Sequence, residues 1–406
     1  MILTKKPAKD LRKLRRKLAL KISLILITVA FIFTIGFGVG FGSASGINLY
    51  QIINKNYSGK TIDFAEFWQV WDAIHNNYLH KFDDKTLFYS SIKGLVSGLN
   101  DPYSSFMDPS ETKLFTQDMQ EQFGGVGIEI TAKDNKIVVV SILSDSPAKS
   151  VDMKTGDQIV SVDDKATDGH ALMEVLSWIR GTAGTKVKLE MNREGWSEPK
   201  EFEFTRYNIT VQSVNYKIDN NIAYIQITQF SDNTTSLVQK AALDIVAKNP
   251  KGIILDLRNN PGGLFDSAVD IASLFIEKGV VVYEQDKNGN NTPVDVKGDA
   301  KLKDFPLVIL VNGSSASASE ILSGALAYYD KGTLVGEKTF GKGVMQSWDS
   351  FSDGSSLILT VNYWLTPAKV GIDKQGITPD ITIKSDKTDC GNDDVVCKKA
   401  KEIINQ

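Results

Sequence analysis

The chain contains very little histidine. Its 406 residues include only His75, His80 and His170, and none of these lies in the second half of the sequence. A serine hydroxyl is a weak nucleophile until a base removes its proton, and histidine is the usual base. A hydrolase with its active site in the second half would therefore need a different base. A lysine that burial keeps neutral is the available candidate.

The chain also contains few cysteines and carries little net charge. The only cysteines, Cys390 and Cys397, form no CxxC pair and have no histidine cluster beside them, which argues against a metal site. The formal net charge of −3 gives no general basis for nucleic-acid binding. An oxidising compartment would permit a bond between the two cysteines. The sequence leaves open whether they form that disulfide or remain separate thiols.

Basic and apolar residues are concentrated at the N-terminus. The basic residues are Lys5, Lys6, Lys9, Arg12, Lys13, Arg15, Arg16 and Lys17. An apolar run at 22–41 follows them and is long enough to cross a bilayer as a helix. Because basic flanks stay in the cytoplasm, the sequence predicts a single-pass anchor with the remainder of the chain outside the cytoplasmic membrane. A signal peptide cleaved near 43–45 is the alternative, although the run is longer than a usual signal-peptide core.

Hydrophobic periodicity divides the rest of the chain into three parts. Residues 64–78 and 85–99 carry apolar side chains at helical spacing. Asp-Pro-Ser-Glu at 108–111, with a proline and acids in the first turn, predicts the start of a further helix. From about residue 124, short strands and two helices predict a compact separate domain. From about residue 210, strands and helices alternate, which predicts an α/β domain. Its strand at 252–257 is apolar enough to be buried on both faces.

Ser317 is the candidate nucleophile because of its local context. It follows a predicted strand and a turn of small residues, and it stands at the start of a predicted helix. Free backbone N–H groups at a helix start can stabilise an oxyanion beside the hydroxyl. A serine at this position is also a common helix N-cap, which is the simpler interpretation.

Two further loops support a catalytic interpretation. The Asn-Asn-Pro-Gly-Gly segment at 259–263 follows the buried strand, and its glycines can turn an amide toward a bound carbonyl. Lys342 lies between Gly341 and Gly343, which permits burial of its side chain and lowering of its pKa. An ordinary strand-to-helix turn and an exposed turn lysine are the simpler alternatives. Both the serine and the glycine loop should follow neighbouring strands, where α/β sheets bind ligands.

These segments together resemble the carboxy-terminal processing peptidases, also called tail-specific proteases. Members of this family are serine peptidases with a PDZ domain and a Ser-Lys catalytic pair. The resemblance extends from about residue 65 to 385. The matching motifs are LNDPYSSFM at 99–107, FGGVG at 123–127, LDLRNNPGG at 255–263, SASASE at 315–320, residues 336–343, and GITPD at 376–380.

The resemblance implies roles for individual residues. The serine-to-lysine spacing of the family selects Ser317 as the nucleophile and Lys342 as the base. The family pattern also implies that Gln346 orients the lysine. Some members instead carry an aspartate eleven residues after the serine, but that position is Tyr328 here. The implied oxyanion donors are the N–H of Ala318 and that of Gly262 or Gly263. The implied peptide-binding residues of the PDZ domain are Gly124, Gly125, Val126, Gly127 and Ile128.

The implied architecture is an α/β peptidase core with an inserted PDZ domain, a helical N-terminal segment and one N-terminal transmembrane helix. The expected divisions are a basic cytoplasmic tail at 1–21, the anchor at 22–42, a linker at 43–62, the helical segment at 63–118, the PDZ domain at 119–207, the peptidase core at 208–386 and a helical C-terminal tail at 387–406.

The implied function is that of a membrane-anchored, extracytoplasmic serine endopeptidase. It would act through an acyl-enzyme, without metal or cofactor, on proteins or peptides with exposed C-terminal tails. Homo-oligomerisation stays open. One rival is a non-catalytic, membrane-tethered PDZ module, which the presence of both Ser317 and Lys342 disfavours. The other is a different enzyme on a related α/β scaffold, such as an acyl-CoA-handling one, which a membrane anchor and a PDZ-like insert disfavour because such substrates are cytoplasmic.

Overall fold

The computed structural model describes residues 56–57, 60–61, 63–133, 136–143, 146–170, 172–210, 212–385 and 387–406. The predicted cytoplasmic tail and anchor lie outside these residues, as does most of the predicted linker. Within the described ranges, no helix is both long enough and apolar enough to span a membrane. The chain divides into two compact units between Asp84 and Lys85. The first contains the antiparallel pair β1 (Asn56–Tyr57) and β2 (Lys60–Thr61), and helix α1 (Ala65–Asn77).

The second unit begins with two helices and a short strand. Helix α2 (Asp84–Ser97) has all but its first residue in this unit, and β3 (Ser105–Met107) precedes α3 (Pro109–Met119). Asp108 caps α3 by accepting from the N–H groups of Ser110 and Glu111, while Glu111 accepts from the Asp108 N–H in return. This capping box confirms the helix start expected from Asp-Pro-Ser-Glu at 108–111.

The middle of the chain forms an antiparallel domain, here called the small β domain. Its main sheet has the order β10-β9-β7-β6-β5, with β8 beside β7, while β4 pairs with β11. The strands are β4 (Gln122–Gly125), β5 (Ile128–Lys133), β6 (Lys136–Ile142), β7 (Gln158–Val162), β8 (Lys165–Ala166), β9 (Lys186–Asn192), β10 (Lys200–Thr205) and β11 (Tyr207–Thr210). A 3₁₀ turn (Pro147–Ser150) and helix α4 (Leu172–Ile179) complete it. Strand β5 is the edge strand of this sheet.

The remainder is built on a second sheet with the order β12-β13-β14-β17-β18-β21. Only β12 is antiparallel to its neighbour. The strands are β12 (Val214–Asp219), β13 (Ile222–Ile227), β14 (Gly252–Asp256), β17 (Leu307–Val311), β18 (Thr333–Gly336) and β21 (Ile381–Thr382). The helices are α5 (Thr234–Lys248), α6 (Phe265–Ala272), α7 (Ala318–Tyr328) and α8 (Val395–Ile404).

Strand β14 is buried along its whole length, as predicted from its composition. Ile253 and Leu255 join a core with residues of α5, α6 and α7, whereas Ile254 joins a separate core with residues of α8. This alternation follows from the two-residue period of a strand, and it places packed layers on both faces of the sheet. Cys390 forms a disulfide with Cys397, which lies in the first turn of α8.

A third sheet, antiparallel, has the order β16-β15-β20-β19, with β3 added beside β20. Its strands are β15 (Val280–Gln285), β16 (Asn291–Asp295), β19 (Val344–Ser350) and β20 (Ser356–Leu365). The segment before the small β domain therefore contributes a strand to the sheet that carries Gln346.

Candidate active site

Ser317 lies where β17 passes into α7, at the N-cap position of the helix. Its backbone has φ 54° and ψ −115°, a positive φ that a serine adopts only when its surroundings impose it. The neighbouring serines supply part of that constraint. Ser315 Oγ donates to the carbonyl of Leu257 at 2.8 Å, and Ser319 Oγ donates to the carbonyl of Asn260 at 3.0 Å. These bonds fasten the serine turn to the loop that follows β14.

Glu320 connects this turn to the lysine loop. Its carboxylate is fully buried and accepts from the N–H of Ser317 at 2.9 Å and from the N–H of Lys342 at 2.9 Å. The same group also accepts from the Gly341 N–H at 2.7 Å and from Thr339 Oγ1 at 2.5 Å. A buried carboxylate is stable only when hydrogen-bond donors compensate for lost hydration, and here those donors are the backbones around both candidate catalytic residues.

Lys342 is partly buried, and this burial is the main influence on its amine. Burial lowers the lysine pKa, while the negative charges of Asp101 and Glu320 act in the opposite direction, and burial prevails. The neutral amine is therefore more accessible than in an exposed lysine. Only a neutral amine can accept a proton from a hydroxyl.

The predicted catalytic residues line one cavity of about 610 Å³. Ser317, Lys342 and Gln346 line it, as do Gly262 and Gly263. Ser317 Oγ and Lys342 Nζ make no hydrogen bond to each other, and the Gln346 side-chain nitrogen is buried without a partner among the described residues. The side chains thus share one space without the contacts that proton transfer would need.

The loop at 259–263 presents backbone amides beside Ser317. Asn260 is fully buried, and its side chain donates to the Ile227 carbonyl and accepts from the Gly262 N–H, both at 2.8 Å. Gly262 has φ +102°, and an added Cβ there would lie 2.7 Å from the Ser317 Cβ. Only glycine therefore allows this approach.

The Gly262 N–H is already engaged, but two neighbouring amides are not. Neither the Gly263 N–H nor the Ala318 N–H donates a hydrogen bond within the described part of the chain. The two amides flank the point at which Gly262 contacts the serine turn, since an added Gly262 Cβ would also lie 3.0 Å from the Ala318 nitrogen. Two unused N–H groups beside a serine are suited to bind a developing negative charge.

Comparisons with known proteins match three parts of the chain. The profile of Peptidase family S41 matches residues 221–383, that of the PDZ domain matches 124–204, and that of the activating protease CtpB N-terminal domain matches 46–112. The carboxy-terminal-processing protease of Bartonella bacilliformis is 37% identical over 84% of this chain and 80% of its own length. This chain belongs to the carboxy-terminal processing proteases of family S41. It is a serine peptidase with a PDZ domain.

Other comparisons concern the same family. The carboxy-terminal processing protease CtpA of Bacillus subtilis is 39% identical over 78% of this chain and 68% of its own length. The solved structure of a photosystem II D1 C-terminal processing protease superposes with a TM-score of 0.51 at 29% identity, covering 83% of this chain and 90% of that one. The resemblance seen in the sequence is thereby confirmed for the family, the enzyme class and the combination of an S41 core with a PDZ domain.

The PDZ domain of this processing protease has a groove beside its edge strand. A cavity of about 380 Å³ is lined there by Ile128 and Ile130 of β5, by Leu176 of α4 and by Arg180. Of the five predicted peptide-binding residues only Ile128 lines this cavity, and the other four are buried, with Val126 packed in the domain core. Gly124 and Gly125 lie in β4, paired with β11, and Gly127 has φ +82°.

Three residues of the protease site were not assigned roles from the sequence. Glu320 and Asn260 stood inside quoted motifs, and Tyr103, which lines the catalytic cavity, stood in another. The Ser-x-x-Glu spacing of a capping box was the available signal for Glu320. No local signal marked the other two, because Asn260 donates to the distant Ile227 carbonyl and Tyr103 lines a cavity with residues far away in the sequence. In the part of the chain that the structure describes, no three His, Cys, Asp or Glu side chains are grouped as metal ligands.

Proposed function

We propose that this protease cleaves through a Ser317–Lys342 dyad, with an acyl-enzyme intermediate and without metal or cofactor. The main support is the cavity that both side chains line, together with the lowered lysine pKa. Lys342 accepts the Ser317 proton as Oγ attacks the scissile carbonyl. It then donates that proton to the leaving amine. Water, deprotonated by the same lysine, releases the acyl group as a carboxylate.

The oxyanion of each tetrahedral intermediate is assigned to the Ala318 and Gly263 N–H groups. The choice of Gly263 over Gly262 follows from hydrogen bonding, since Asn260 already occupies the Gly262 N–H. Gln346 is assigned to orient Lys342. Its unpartnered side-chain nitrogen and the missing Ser317–Lys342 hydrogen bond indicate that the dyad closes when substrate binds.

The substrate is proposed to enter as an extended C-terminal tail. Its terminal residues would add beside β5, as peptides do at exposed sheet edges, with the carboxylate at the amides of 124–127. Neither the Val126 N–H nor the Gly127 N–H has an acceptor among the described residues. Gln229 lines both the PDZ groove and the catalytic cavity, so the two spaces adjoin there. The natural substrate class is thus proteins with accessible, apolar C-terminal tails.

Comparing wild type with Ser317→Ala and Lys342→Ala tests the dyad, using an unstructured peptide with an apolar tail. Each variant should lose at least about 1,000-fold in kcat, as expected for removal of a nucleophile or base. Ser314→Ala and Lys338→Ala are matched controls because both side chains are exposed on the adjoining loops. Substantial residual turnover in either catalytic variant would contradict the role assigned to that residue.

Tail recognition is tested by comparing peptides with a free and an amidated C-terminus. Leu176→Glu should raise KM for the free peptide and abolish the difference between the two forms. Glu174→Gln, an exposed change on the same helix, should preserve that difference. Equal KM values for both peptides with the wild type would exclude capture of the terminal carboxylate.

The cellular location is proposed from the N-terminal sequence alone. The apolar run at 22–41 would anchor the enzyme with its catalytic part outside the cytoplasmic membrane. Membrane fractions washed with alkaline carbonate should retain the full chain, and removal of residues 1–42 should release it. An N-terminus found near residue 45 in the mature protein would instead establish a cleaved signal peptide.

A further inference from the structure

Tyr103 lies against the amine of Lys342. The Lys342 Nζ is 5.2 Å from the centre of the Tyr103 ring, and both side chains line the catalytic cavity. Tyr103 belongs to the segment before the PDZ domain, more than two hundred positions from the lysine in sequence. This segment therefore contributes one face of the lysine environment.

A local hydrogen-bond network holds Tyr103 in place. The Asp101 carboxylate accepts from the Tyr103 N–H at 3.1 Å and from Ser104 Oγ at 2.6 Å. Ser104 Oγ in turn accepts from the Thr360 N–H of β20 at 3.0 Å. The turn at 101–104 is thus fastened to the same sheet that carries Gln346. These hydrogen bonds tie the turn that carries Tyr103 to the rest of the fold.

The charges around Lys342 do not explain a neutral amine. Asp101 and Glu320 are both acidic and favour the protonated lysine, and Asp373 accepts from the neighbouring Gly343 N–H at 3.3 Å. Burial outweighs the two acids that act on Lys342. Tyr103 adds no charge, because burial raises the pKa of its own hydroxyl. The uncharged Tyr103 ring therefore covers one side of the Lys342 amine, whose charged neighbours are acidic.

We infer that Tyr103 is a positioning residue that shields the Lys342 amine from water and so keeps it available as the base. This inference rests on the proposed Ser-Lys mechanism. An aromatic face also attracts a cation, which opposes the shielding. Burial is the largest influence on the Lys342 pKa and lowers it, so we expect the loss of hydration to outweigh that attraction. Removal of the ring should therefore favour the charged form.

The test compares Tyr103→Ala with Tyr103→Phe through the pH dependence of kcat/KM. Tyr103→Phe retains the ring and should keep the wild-type profile. Tyr103→Ala should move the rising limb to higher pH by about one unit, which corresponds to about tenfold lower kcat/KM at neutral pH. Phe115→Ala is a matched control, because that ring lines the same cavity but packs against Trp348. It should change KM and leave the midpoint in place.

A second measurement does not require catalysis. In the Ser317→Ala background, the pH midpoint for acetylation of Lys342 by acetic anhydride, read by mass spectrometry, should rise in Tyr103→Ala and stay unchanged in Tyr103→Phe. This midpoint tests the shielding even if activity assays exclude the Ser-Lys dyad. If Tyr103→Ala does not fold, Tyr103→Gln replaces it and should shift the midpoint in the same direction. An unchanged or lowered midpoint in the folded variant would overturn the inference.

Discussion

The backbone N–H groups of Ser317 and Lys342 donate to the same oxygen, Glu320 Oε2, each at 2.9 Å. The two proposed catalytic residues are therefore positioned relative to each other through their main chains, while no hydrogen bond joins their side chains. This arrangement allows the side-chain contact to change as substrate binds without moving the loops. One buried carboxylate therefore holds both the serine turn and the lysine loop in position.

Replacing this carboxylate should separate the two loops. Glu320→Gln puts amide hydrogens among groups that are themselves donors, so it should lower kcat by roughly 100-fold through misplacement of Ser317 and Lys342. The unsatisfied donors should cost about 2 kcal/mol of unfolding free energy. Ser323→Ala, which removes hydrogen bonds to the Ser319 and Glu320 backbone carbonyls within α7 but leaves the Glu320 carboxylate in place, is the control and should retain kcat. A folded Glu320→Gln enzyme with normal turnover would refute the positioning role.

The pH dependence should follow deprotonation of Lys342. Because burial lowers its pKa below the ordinary value of 10.5, kcat/KM should rise with pH and level off below that value. The rise should be about tenfold for each pH unit on the acidic side. Lys342→Arg keeps a permanent charge and should be inactive at every pH, whereas Lys338→Arg should match the wild type. A flat wild-type profile between about pH 5 and 9 would argue against a lysine base.

Asn260 should affect turnover more than substrate binding. Asn260→Ala leaves the Gly262 N–H and the Ile227 carbonyl buried without the hydrogen bonds that Asn260 supplies. The loop should then shift, and the neighbouring amide of Gly263 should lose its fixed direction. We expect kcat to fall by about 100-fold, similar to loss of an oxyanion donor, with little change in KM. Asn259→Gly is the adjacent control, since its φ of +59° suits glycine. Parallel losses in both variants would mean that general loop disorder is responsible.

The disulfide should stabilise the fold without taking part in the chemistry. Cys390 and Cys397 are seven positions apart and enclose Asp394, which caps α8 and pairs with Arg258 at 2.8 Å. The double change Cys390→Ser and Cys397→Ser should lower the unfolding free energy by about 2 kcal/mol, as expected for a short loop. Urea unfolding with and without reductant measures this. Reductant should destabilise the wild type and leave the double variant unchanged, and equal stability of all samples would contradict the prediction.

Local patterns were sufficient for much of the fold. The apolar run at 252–257 predicted a strand buried on both faces, and β14 is such a strand. Asp108 and Glu111 predicted the start of α3. The predicted adjacency of the serine turn and the glycine loop is also confirmed, because β14 and β17 are parallel neighbours. The division boundaries, the anchor and the role of each catalytic residue stay predictions.

The sequence by itself determined the family, the enzyme class and the candidate residues Ser317 and Lys342, because these depend on residue identity and spacing. Only the tertiary structure decided that Gly263 rather than Gly262 has the unused amide, that Glu320 holds both loops, and that Tyr103 faces the lysine amine. The bond from Lys342 to Glu320 and the contact of Tyr103 with Lys342 join segments far apart in the chain, and the distant Ile227 carbonyl accepts from the Asn260 side chain that engages Gly262. Such contacts form only when the whole fold has closed around them, so no local pattern encodes them.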